Sequence, residues 1–251
     1  MLLDLDGVLY VGDAPLPGAG EAVERLRERV GAVRFVTNTT TRPRSAILGA
    51  LRRLGFAAGE DELFTPAALA VRHCVSAGHR RVALVVDDAL HEDFAGLERA
   101  EHDVDAVIVG DLGSAFAFEP LNRAFRMVMG GAELIALQKN RYWLTPEGLS
   151  LDAGAFVAAL EYATGREALV VGKPSPDFFG AVLDTAAVQP SQALMVGDDV
   201  ESDVGGAQRA GLRGVLVRTG KFREDRLCAS GIVPDAIVDS IADVPGLLDR
   251  L

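Results

Sequence analysis

The 251-residue sequence predicts an α/β fold: a doubly wound, Rossmann-like parallel sheet with a smaller α/β module inserted into it. Short apolar runs alternate with stretches in which apolar residues recur at helical spacing, as expected for parallel strands joined by crossover helices. Acidic and polar residues directly follow several of the apolar runs. Because the carboxyl ends of parallel strands form the edge where open α/β folds bind ligands, this pattern also indicates a site.

The first quarter of the chain supplies two strand-helix pairs. An apolar run at 2–5 predicts the first strand, and Pro17-Gly18 opens a helix whose apolar residues share one face. A second apolar run at 33–37 predicts the next strand, and the helix predicted at 45–54 ends at a glycine. Thr65 is an expected N-cap, because it precedes a proline suited to the first helical position.

The same alternation continues to the end of the chain. Apolar runs predict further strands at 82–86, 106–109, 134–137, 168–171, 193–196 and 214–217. Amphipathic stretches predict helices at 121–129 and 153–163, from 176, and at 204–210.

Composition and charge restrict the partners. The net charge of −11 argues against nucleic acid or an anionic membrane, since both require a basic surface. The four histidines show neither an HExxH pattern nor paired Cys/His spacing, so spacing does not predict a zinc site. Two distant cysteines, Cys74 and Cys228, favour a reduced protein. With no signal-like or membrane-spanning apolar run, we expect a cytoplasmic location.

Two carboxylates follow the first predicted strand, in Asp4-Leu5-Asp6-Gly7. Residues two apart on a strand face the same side, so these two acids would lie together at the edge of the sheet. Close carboxylates repel each other unless a cation bridges them or one carries a proton. The pair is therefore a candidate metal or catalytic site, although acids also occur at strand ends without any such role.

A second acidic cluster follows the run at 193–196. It comprises Asp198, Asp199 and, four residues later, Asp203. One of these acids is explained by N-capping of the next helix, but three are not. Carboxylate oxygens from two strand ends suit Mg²⁺, which prefers oxygen ligands and retains water.

Two further strand ends carry groups suited to phosphate. Thr37 and Asn38 offer a hydroxyl and an amide that can hydrogen-bond phosphoryl oxygens, although a plain turn explains them equally well. Lys173 follows the strand predicted at 168–171, where its ammonium would neutralise both acids and phosphate. Taken alone, Lys173 also fits a solvated surface position.

In this order the motifs resemble those of the haloacid dehalogenase superfamily. Asp4-Leu5-Asp6-Gly7 is similar to its first motif and Thr37-Asn38 to its second. Lys173 corresponds to the third motif, and Gly197-Asp198-Asp199 with Asp203 to the fourth. An acid at the position of Asp6 is typical of the phosphatases of this superfamily rather than its dehalogenases.

The resemblance implies a role for each of these residues. Asp4 would be the nucleophile that forms an aspartyl-phosphate, and Asp6 the general acid and base. Mg²⁺ would be held by Asp4, the backbone carbonyl of Asp6 and Asp198, with Asp199 and Asp203 as outer groups. Thr37, Asn38, Lys173 and the backbone N–H groups after Asp4, from Leu5 onward, would hold the phosphoryl oxygens of a small phosphorylated substrate.

Spacing predicts the inserted module independently of the resemblance. Between Thr37 and Lys173 the numbering advances by 136, far more than one crossover needs. We therefore expect a core of residues 1–66 and 170–251 with a second domain at 67–169. In the superfamily an insertion at this place is the C2-type cap of the NagD-like class, subfamily IIA, in which homodimers are common.

The cap would select the substrate. Asn140, Arg141, Tyr142 and Trp143 follow the strand predicted at 134–137 and correspond to the substrate-specificity loop of the NagD-like class. Arg141 would contact phosphate or a carboxylate, and an aromatic ring would stack on an organic leaving group. A surface turn whose aromatic side chains pack on the cap is an equally good interpretation.

Other functions fit less well. A receiver-type signalling domain uses similar groups, but its phosphorylated Asp follows a later strand and it lacks a large insertion. A catalytically silent binding relative would not need the complete set of motifs. A nucleotide-binding dehydrogenase is poorly supported, because no G-x-G-x-x-G follows the first strand.

Overall fold

The computed structural model describes residues 1–145 and 148–249, with the backbone alone at 143–145. Contacts divide the chain into two compact units. The first comprises Met1–Thr37, Ile47–Phe64 and Lys173–Leu251, and the second comprises Asn38–Ala46 and Thr65–Gly172. No helix among the described residues is both long and apolar enough to cross a membrane.

The strands of the described residues, in chain order, are β1 Leu2–Asp4, β2 Tyr10–Val11, β3 Ala14–Pro15, β4 Arg34–Val36, β5 Leu63–Phe64, β6 Arg81–Val85, β7 Glu98–Arg99, β8 Ala106–Val109, β9 Glu133–Ala136, β10 Tyr142–Thr145, β11 Gly148–Leu151, β12 Leu169–Val170, β13 Leu194–Gly197, β14 Arg213–Val217 and β15 Ala236–Val238. The α-helices are α1 Ala19–Arg29, α2 Arg44–Arg53, α3 Pro66–Ala77, α4 Phe118–Met129, α5 Ala153–Thr164, α6 Pro176–Ala186, α7 Gly206–Arg209, α8 Glu224–Ser230 and α9 Val244–Leu247.

The first unit is built on a parallel sheet in the order β15-β14-β13-β1-β4-β5. The strand order reverses between β1 and β13, because the chain moves outward from β1 to one side and later fills the other side. Such a switch point is where open α/β sheets bind ligands. Large buried side chains such as Phe35 and Leu26 form the core beside it.

The second unit has its own parallel sheet, in the order β12-β9-β8-β6-β7, and an antiparallel hairpin of β10 and β11. Its strand β8 is buried at every position, as expected for a strand covered on both faces. Side chains of α4 and α5 pack with this sheet in one apolar cluster. The predicted fold, a Rossmann-type core with a further α/β module, is thus confirmed.

The N-cap expected at Thr65 is confirmed. Its side chain accepts a hydrogen bond of 3.2 Å from the N–H of Ala68, and Pro66 occupies the first helical position of α3. Helix α4 begins at Phe118, three residues before the predicted start. Strands β2, β3, β5, β7, β10, β11 and β15 were not predicted, mostly because two or three residues are too few to show a period.

The run at 168–171 forms a strand of the second unit. The predicted border between the domains passed through this run, between 169 and 170, and its strand β12 pairs with β9. The N–H of Val171 continues this pairing to the carbonyl of Ala136. Lys173 is therefore carried by the loop before α6, not by a strand of the first sheet.

The division into units also differs from the predicted borders. Residues 38–46 group with the second unit, although they were expected in the core. The backbone N–H of Arg44 lies 3.1 Å from both carboxylate oxygens of Asp93, and the N–H of Asp111 donates to Thr40 Oγ1 at 3.3 Å. These contacts are between residues distant in sequence, so the sequence pattern does not reveal them.

Candidate active site

Asp4 ends β1 beside the switch point. Its side chain is nearly buried, and it pairs in register with Val36 of β4, so Thr37 lies one residue beyond that partner. On the other side, Leu3 pairs with Val196 of β13, which brings Asp198 to the same edge. The polar residues after three neighbouring strands thus meet where the sequence predicted.

Lys173 joins two carboxylates inside the first unit. Its Nζ lies 2.6 Å from Asp4 Oδ1 and 2.7 Å from Asp203 Oδ1. The three side chains are 3%, 10% and 1% exposed, so this is a buried ion pair with a shared cation. Removal of such a cation leaves uncompensated buried charge, which fixes Lys173 in place.

Asp198 is enclosed by backbone. Its Oδ2 accepts a 2.7 Å hydrogen bond from the N–H of Lys221. A Cβ atom on Gly7 or on Gly220 would lie 2.0 Å from this same oxygen, and both glycines have positive φ. Only glycine at these two positions lets the backbone approach the carboxylate so closely.

Asp199 and Asp203 have different tasks, although they stand four residues apart. The Asp199 side chain caps the π-helical turn Val200–Gly205, accepting 3.0 Å hydrogen bonds from the N–H groups of Glu201 and Ser202. Asp203 is buried, and its Oδ2 accepts from the N–H of Asp199 while its Oδ1 accepts from Lys173. Asp203 therefore orients Lys173, whereas Asp199 stabilises the turn.

Burial and like charges perturb the acids. Burial, with the nearby charges of Asp4 and Asp203, raises the pKa of Asp198 to about 8. Burial also raises the pKa of Asp203 to about 6, against the attraction of Lys173. Burial lowers the pKa of Lys173, but the charges of Asp203 and Asp4 outweigh it and raise the pKa overall. Burial and the mutual repulsion of the carboxylates thus both favour the protonated forms of Asp198 and Asp203.

The remaining predicted residues of the first unit differ in exposure. Thr37 is buried, and its N–H donates to the carbonyl of Phe64. Asp6 is exposed, two residues beyond the buried Asp4. Leu5 packs its side chain in the core and can meet a ligand only through its backbone.

Five predicted residues belong to the second unit. Asn38 lies in the segment Asn38–Ala46 and packs near Gly172, where an added Cβ would be 2.9 Å from Asn38 Oδ1. The carbonyls of Asn140 and Arg141 accept hydrogen bonds from backbone N–H groups at 154 and 152. The exposed Arg141 guanidinium lies 6.0 Å from the Tyr142 ring centroid. The side chain of Trp143 lies outside the described residues.

Sequence reasoning missed the contribution of the loop after β14. In addition to the contact from the Lys221 backbone, the hydroxyl of Thr219 donates to the carbonyl of Gly7. Desolvation lowers the pKa of Lys221, but the surrounding carboxylates raise it by more. This loop directly follows β14, a strand of the same sheet as β1 and β13, and that position was the signal that could have identified it.

The acidic residues suit a divalent cation. One carboxylate oxygen from each of Asp4, Asp198 and Asp203 lies within 4.8 Å of the others. Asp198 Oδ1 is buried and has no hydrogen-bond partner among the described residues. Such an oxygen is costly unless a ligand completes it. Because both oxygens of Asp203 already accept hydrogen bonds, Asp4 and Asp198 are the better placed ligands.

Comparison with known proteins gives the family. The model of haloacid dehalogenase-like hydrolases matches residues 1–98, and a HAD-hydrolase-like model matches residues 170–244. A bovine haloacid dehalogenase-like hydrolase domain-containing protein 2 is 46% identical over 90% of this chain and 88% of its own length. The bovine phospholysine phosphohistidine inorganic pyrophosphate phosphatase is 41% identical over 99% of this chain and 93% of its own.

Solved structures agree. A p-nitrophenyl phosphatase from Archaeoglobus fulgidus superimposes with a TM-score of 0.91 at 30% identity, covering 98% of this chain and 97% of the other. A glycerol phosphate phosphatase from Mycobacterium tuberculosis, solved with magnesium, gives 0.83 at 30% identity, covering 98% of this chain and 77% of the other. The chain therefore belongs to the haloacid dehalogenase-like hydrolase family, within its group of NagD-like phosphatases.

Proposed function

We propose that this enzyme is a Mg²⁺-dependent phosphatase that hydrolyses a small phosphorylated metabolite through an aspartyl-phosphate on Asp4. The observation that carries the proposal is the buried contact of Lys173 with Asp4 and Asp203, beside the unsatisfied Asp198 Oδ1. A fixed cation, a buried carboxylate and an unmet metal ligand at a switch point are what phosphoryl transfer to a side chain needs.

In the first step the Asp4 carboxylate attacks phosphorus, and the bond to the leaving oxygen breaks. Lys173 holds Asp4 Oδ1 at 2.6 Å, so Oδ2 is the oxygen that attacks. Asp6 gives its proton to the leaving oxygen. The exposed position of Asp6 supports this role, because its side chain is accessible to a substrate.

In the second step water attacks the phosphorus of the aspartyl-phosphate. Asp6 takes the proton from that water, the bond between Asp4 and phosphorus breaks, and inorganic phosphate leaves. Both residues are then in their starting states, so the two half-reactions balance. Splitting one displacement into two allows one carboxylic acid to act first as acid and then as base.

Asp4, the Asp6 backbone carbonyl and Asp198 would hold Mg²⁺. When bound, the ion supplies positive charge against the oxygens of the transferring phosphoryl group. Lys173 keeps Asp4 in position for attack, and Thr37 and Asn38, with backbone N–H groups after Asp4, donate to the phosphoryl oxygens. The magnesium in the related glycerol phosphate phosphatase supports the choice of metal.

The names of the relatives support a choice of substrate class. Those described above act on phosphomonoesters, on phospholysine and phosphohistidine, or on pyrophosphate, according to their names. We therefore propose a phosphomonoester first, with phosphoramidates and pyrophosphate as further candidates. Asn140, Arg141 and Tyr142 of the second unit would select among these leaving groups. A cytoplasmic location and a homodimer remain predictions.

Turnover of p-nitrophenyl phosphate by wild type and by the Asp4→Asn variant tests the proposal. The variant keeps the size of the side chain but loses the nucleophile, so kcat should fall by at least roughly 10³-fold. Asp13→Asn, at an exposed acid in the same part of the chain, is the matched control and should retain activity. EDTA should abolish wild-type turnover, and excess Mg²⁺ should restore it.

Trapping of the aspartyl-phosphate intermediate distinguishes this function from that of a catalytically silent phospho-ligand-binding module or a receiver-like module. Acid-quenched wild type turning over labelled substrate should carry acid-stable, hydroxylamine-sensitive label at Asp4. Full activity in Asp4→Asn would contradict the nucleophile assignment. A protein that binds phosphorylated ligands but turns none over would be the silent module.

A further inference from the structure

Two histidines and a glutamate converge in the second unit, where sequence spacing predicted no metal site. Nε2 of His73 lies 2.8 Å and Nε2 of His79 2.7 Å from the same oxygen, Glu133 Oε2. The imidazole centroids are 6.1 Å apart, with the rings edge to face. The side chains are 31%, 22% and 34% exposed, so the cluster is held by protein on one side and open to water on the other.

The end of helix α3 sets the two imidazoles side by side. After the left-handed Gly78, the N–H of His79 donates to the carbonyl of Cys74 at 2.8 Å, and the N–H of Gly78 donates to Val75. This is the Schellman arrangement, in which the residue after the turn folds back onto the last helical turn. An apolar contact usually fills that place, and here two histidines fill it.

The sheet fixes the third group. Glu133 begins β9, opposite Ala106 of β8, and its N–H donates to the carbonyl of Asp105 at 2.9 Å. The adjoining loop is itself anchored, because Asp105 Oδ2 accepts hydrogen bonds from the N–H groups of Arg80 and Arg81. His79 is thus held between a helix end and a strand end, and its partners share this frame.

We infer that His73, His79 and Glu133 form a second metal site, for a transition-metal cation of borderline softness such as Zn²⁺. Two imidazoles with one carboxylate are a ligand set that Zn²⁺ uses when it keeps a position open to water. Imidazole nitrogen discriminates against Mg²⁺, which prefers oxygen. The site is therefore chemically distinct from the carboxylate cluster of the first unit.

The distances fit a metal-free state of such a site. Ligand bonds of about 2.0–2.2 Å place the donor atoms around one ion roughly 3–3.5 Å apart. The three donor atoms already lie within 4.8 Å of one another, with the two N···O distances at hydrogen-bond length. Binding needs each neutral imidazole to carry its proton on Nδ1 and a small outward rotation of the side chains.

An ion pair alone gives little reason for this arrangement. Side chains exposed to this degree form ion pairs worth about 0–1 kcal/mol. Two imidazoles that share one carboxylate oxygen also repel each other when both are charged. Convergence of three donors from two rigid elements is instead what a metal site requires.

Calorimetric titration of the full-length chain with Zn²⁺ tests the inference. Wild type should bind Zn²⁺ at this site, and His79→Ala and Glu133→Gln should each weaken that binding by at least about tenfold, since even outer-shell changes cost 10–100-fold. His102→Ala, at an exposed histidine outside the cluster, should bind as wild type. Asp198→Asn shows how much Zn²⁺ enters the carboxylate cluster.

Co²⁺ absorption and melting temperature distinguish ligation from a structural effect. Wild type and Asp198→Asn should show imidazole-type d–d bands with Co²⁺, and Zn²⁺ should raise the Tm of Asp198→Asn but not of the double variant Asp198→Asn/His79→Ala. Glu133→Gln keeps the size and a hydrogen-bond acceptor, so its loss of binding with an unchanged far-UV spectrum would show ligation. Equal isotherms for wild type, His79→Ala and Glu133→Gln would overturn the site, as would Zn²⁺ binding that Asp198→Asn removes entirely.

Discussion

Replacement of Lys173 by methionine tests the electrostatic logic of the active site. The stem of the side chain is kept, but the ammonium that lies 2.6 Å from Asp4 and 2.7 Å from Asp203 is lost. Breaking a buried pair by removing one partner costs about 3–5 kcal/mol. Asp203 should account for most of this cost, because it is 1% exposed and water cannot replace the lost partner, whereas Asp4 is 10% exposed.

The loss should depend on pH. Burial already holds the pKa of Asp203 at about 6, above the value of about 3.9 for an unfolded aspartate, and Lys173 lowers it. Removal of Lys173 raises that pKa further. A group whose folded pKa is raised binds more protons in the folded state, so the deficit is full above the folded pKa and shrinks as the pH falls toward the unfolded value.

Urea unfolding in EDTA at pH 8 and at pH 5 measures both effects. Lys139→Met is the matched control, because Lys139 makes the same 2.6 Å contact with Glu161 at 39% and 18% exposure. It should lose no more than about 1 kcal/mol. Excess Mg²⁺ should recover part of the stability of Lys173→Met without recovering turnover. If the free energy of unfolding of Lys173→Met at pH 8 lies within about 1 kcal/mol of the wild-type value, the compensating role of the ammonium is refuted.

Two further changes test the site and the selection of substrate. Gly7→Ala puts a Cβ 2.0 Å from Asp198 Oδ2, so turnover and apparent Mg²⁺ affinity should fall well below those of the control Gly12→Ala. Gly12 also has a positive φ, but no atom lies within 4 Å of its added Cβ. Equal kinetics in the two variants would show that the close approach of Gly7 to Asp198 is unimportant. Arg141→Ala removes an exposed guanidinium near the Tyr142 ring, so the order of preferred substrates in a phosphate-metabolite screen should change. The free energy of unfolding should stay within about 0.5 kcal/mol of wild type. An unchanged order of substrates would exclude Arg141 from substrate selection.

The site was predictable where chemistry coincides with the end of a long apolar run. Asp4, Thr37 and Asp198 follow such runs, and parallel pairing of β1 with β4 and β13 brings them to one edge. Lys173 was identified for its chemistry, but the sheet that the preceding run joins was not predicted, since two-residue β12 shows no preference for either sheet. The sheet that a short strand joins depends on contacts between residues distant in sequence, which the periodicity of the sequence does not encode.

Side-chain orientation was the less predictable part. Asp199 is the same residue type as Asp198 and adjacent to it, yet its carboxylate caps the turn at 200–205. The sequence predicted that one of these acids is an N-cap but did not indicate which one. The Lys221 contact was missed because it is made by a backbone N–H, which every residue but proline carries. His73 and His79 were missed because a left-handed glycine, not a helical period, brings them together.

Charge explains how an acidic protein can hold a phosphate. When Asp4, Asp198 and Asp203 are all ionised, Lys173 offsets one of the three negative charges and the nearby Lys221 offsets at most a second, so at least one remains at the switch point. Burial first, and then the charges of Asp4 and Asp203, raise the pKa of Asp198, although Lys221 acts in the opposite direction. A divalent cation would balance the remaining negative charge, and the hydroxyl of Thr37 and backbone N–H groups would then meet the phosphoryl oxygens. The dependence on Mg²⁺ that we propose thus follows from the count of buried charges as much as from the relatives.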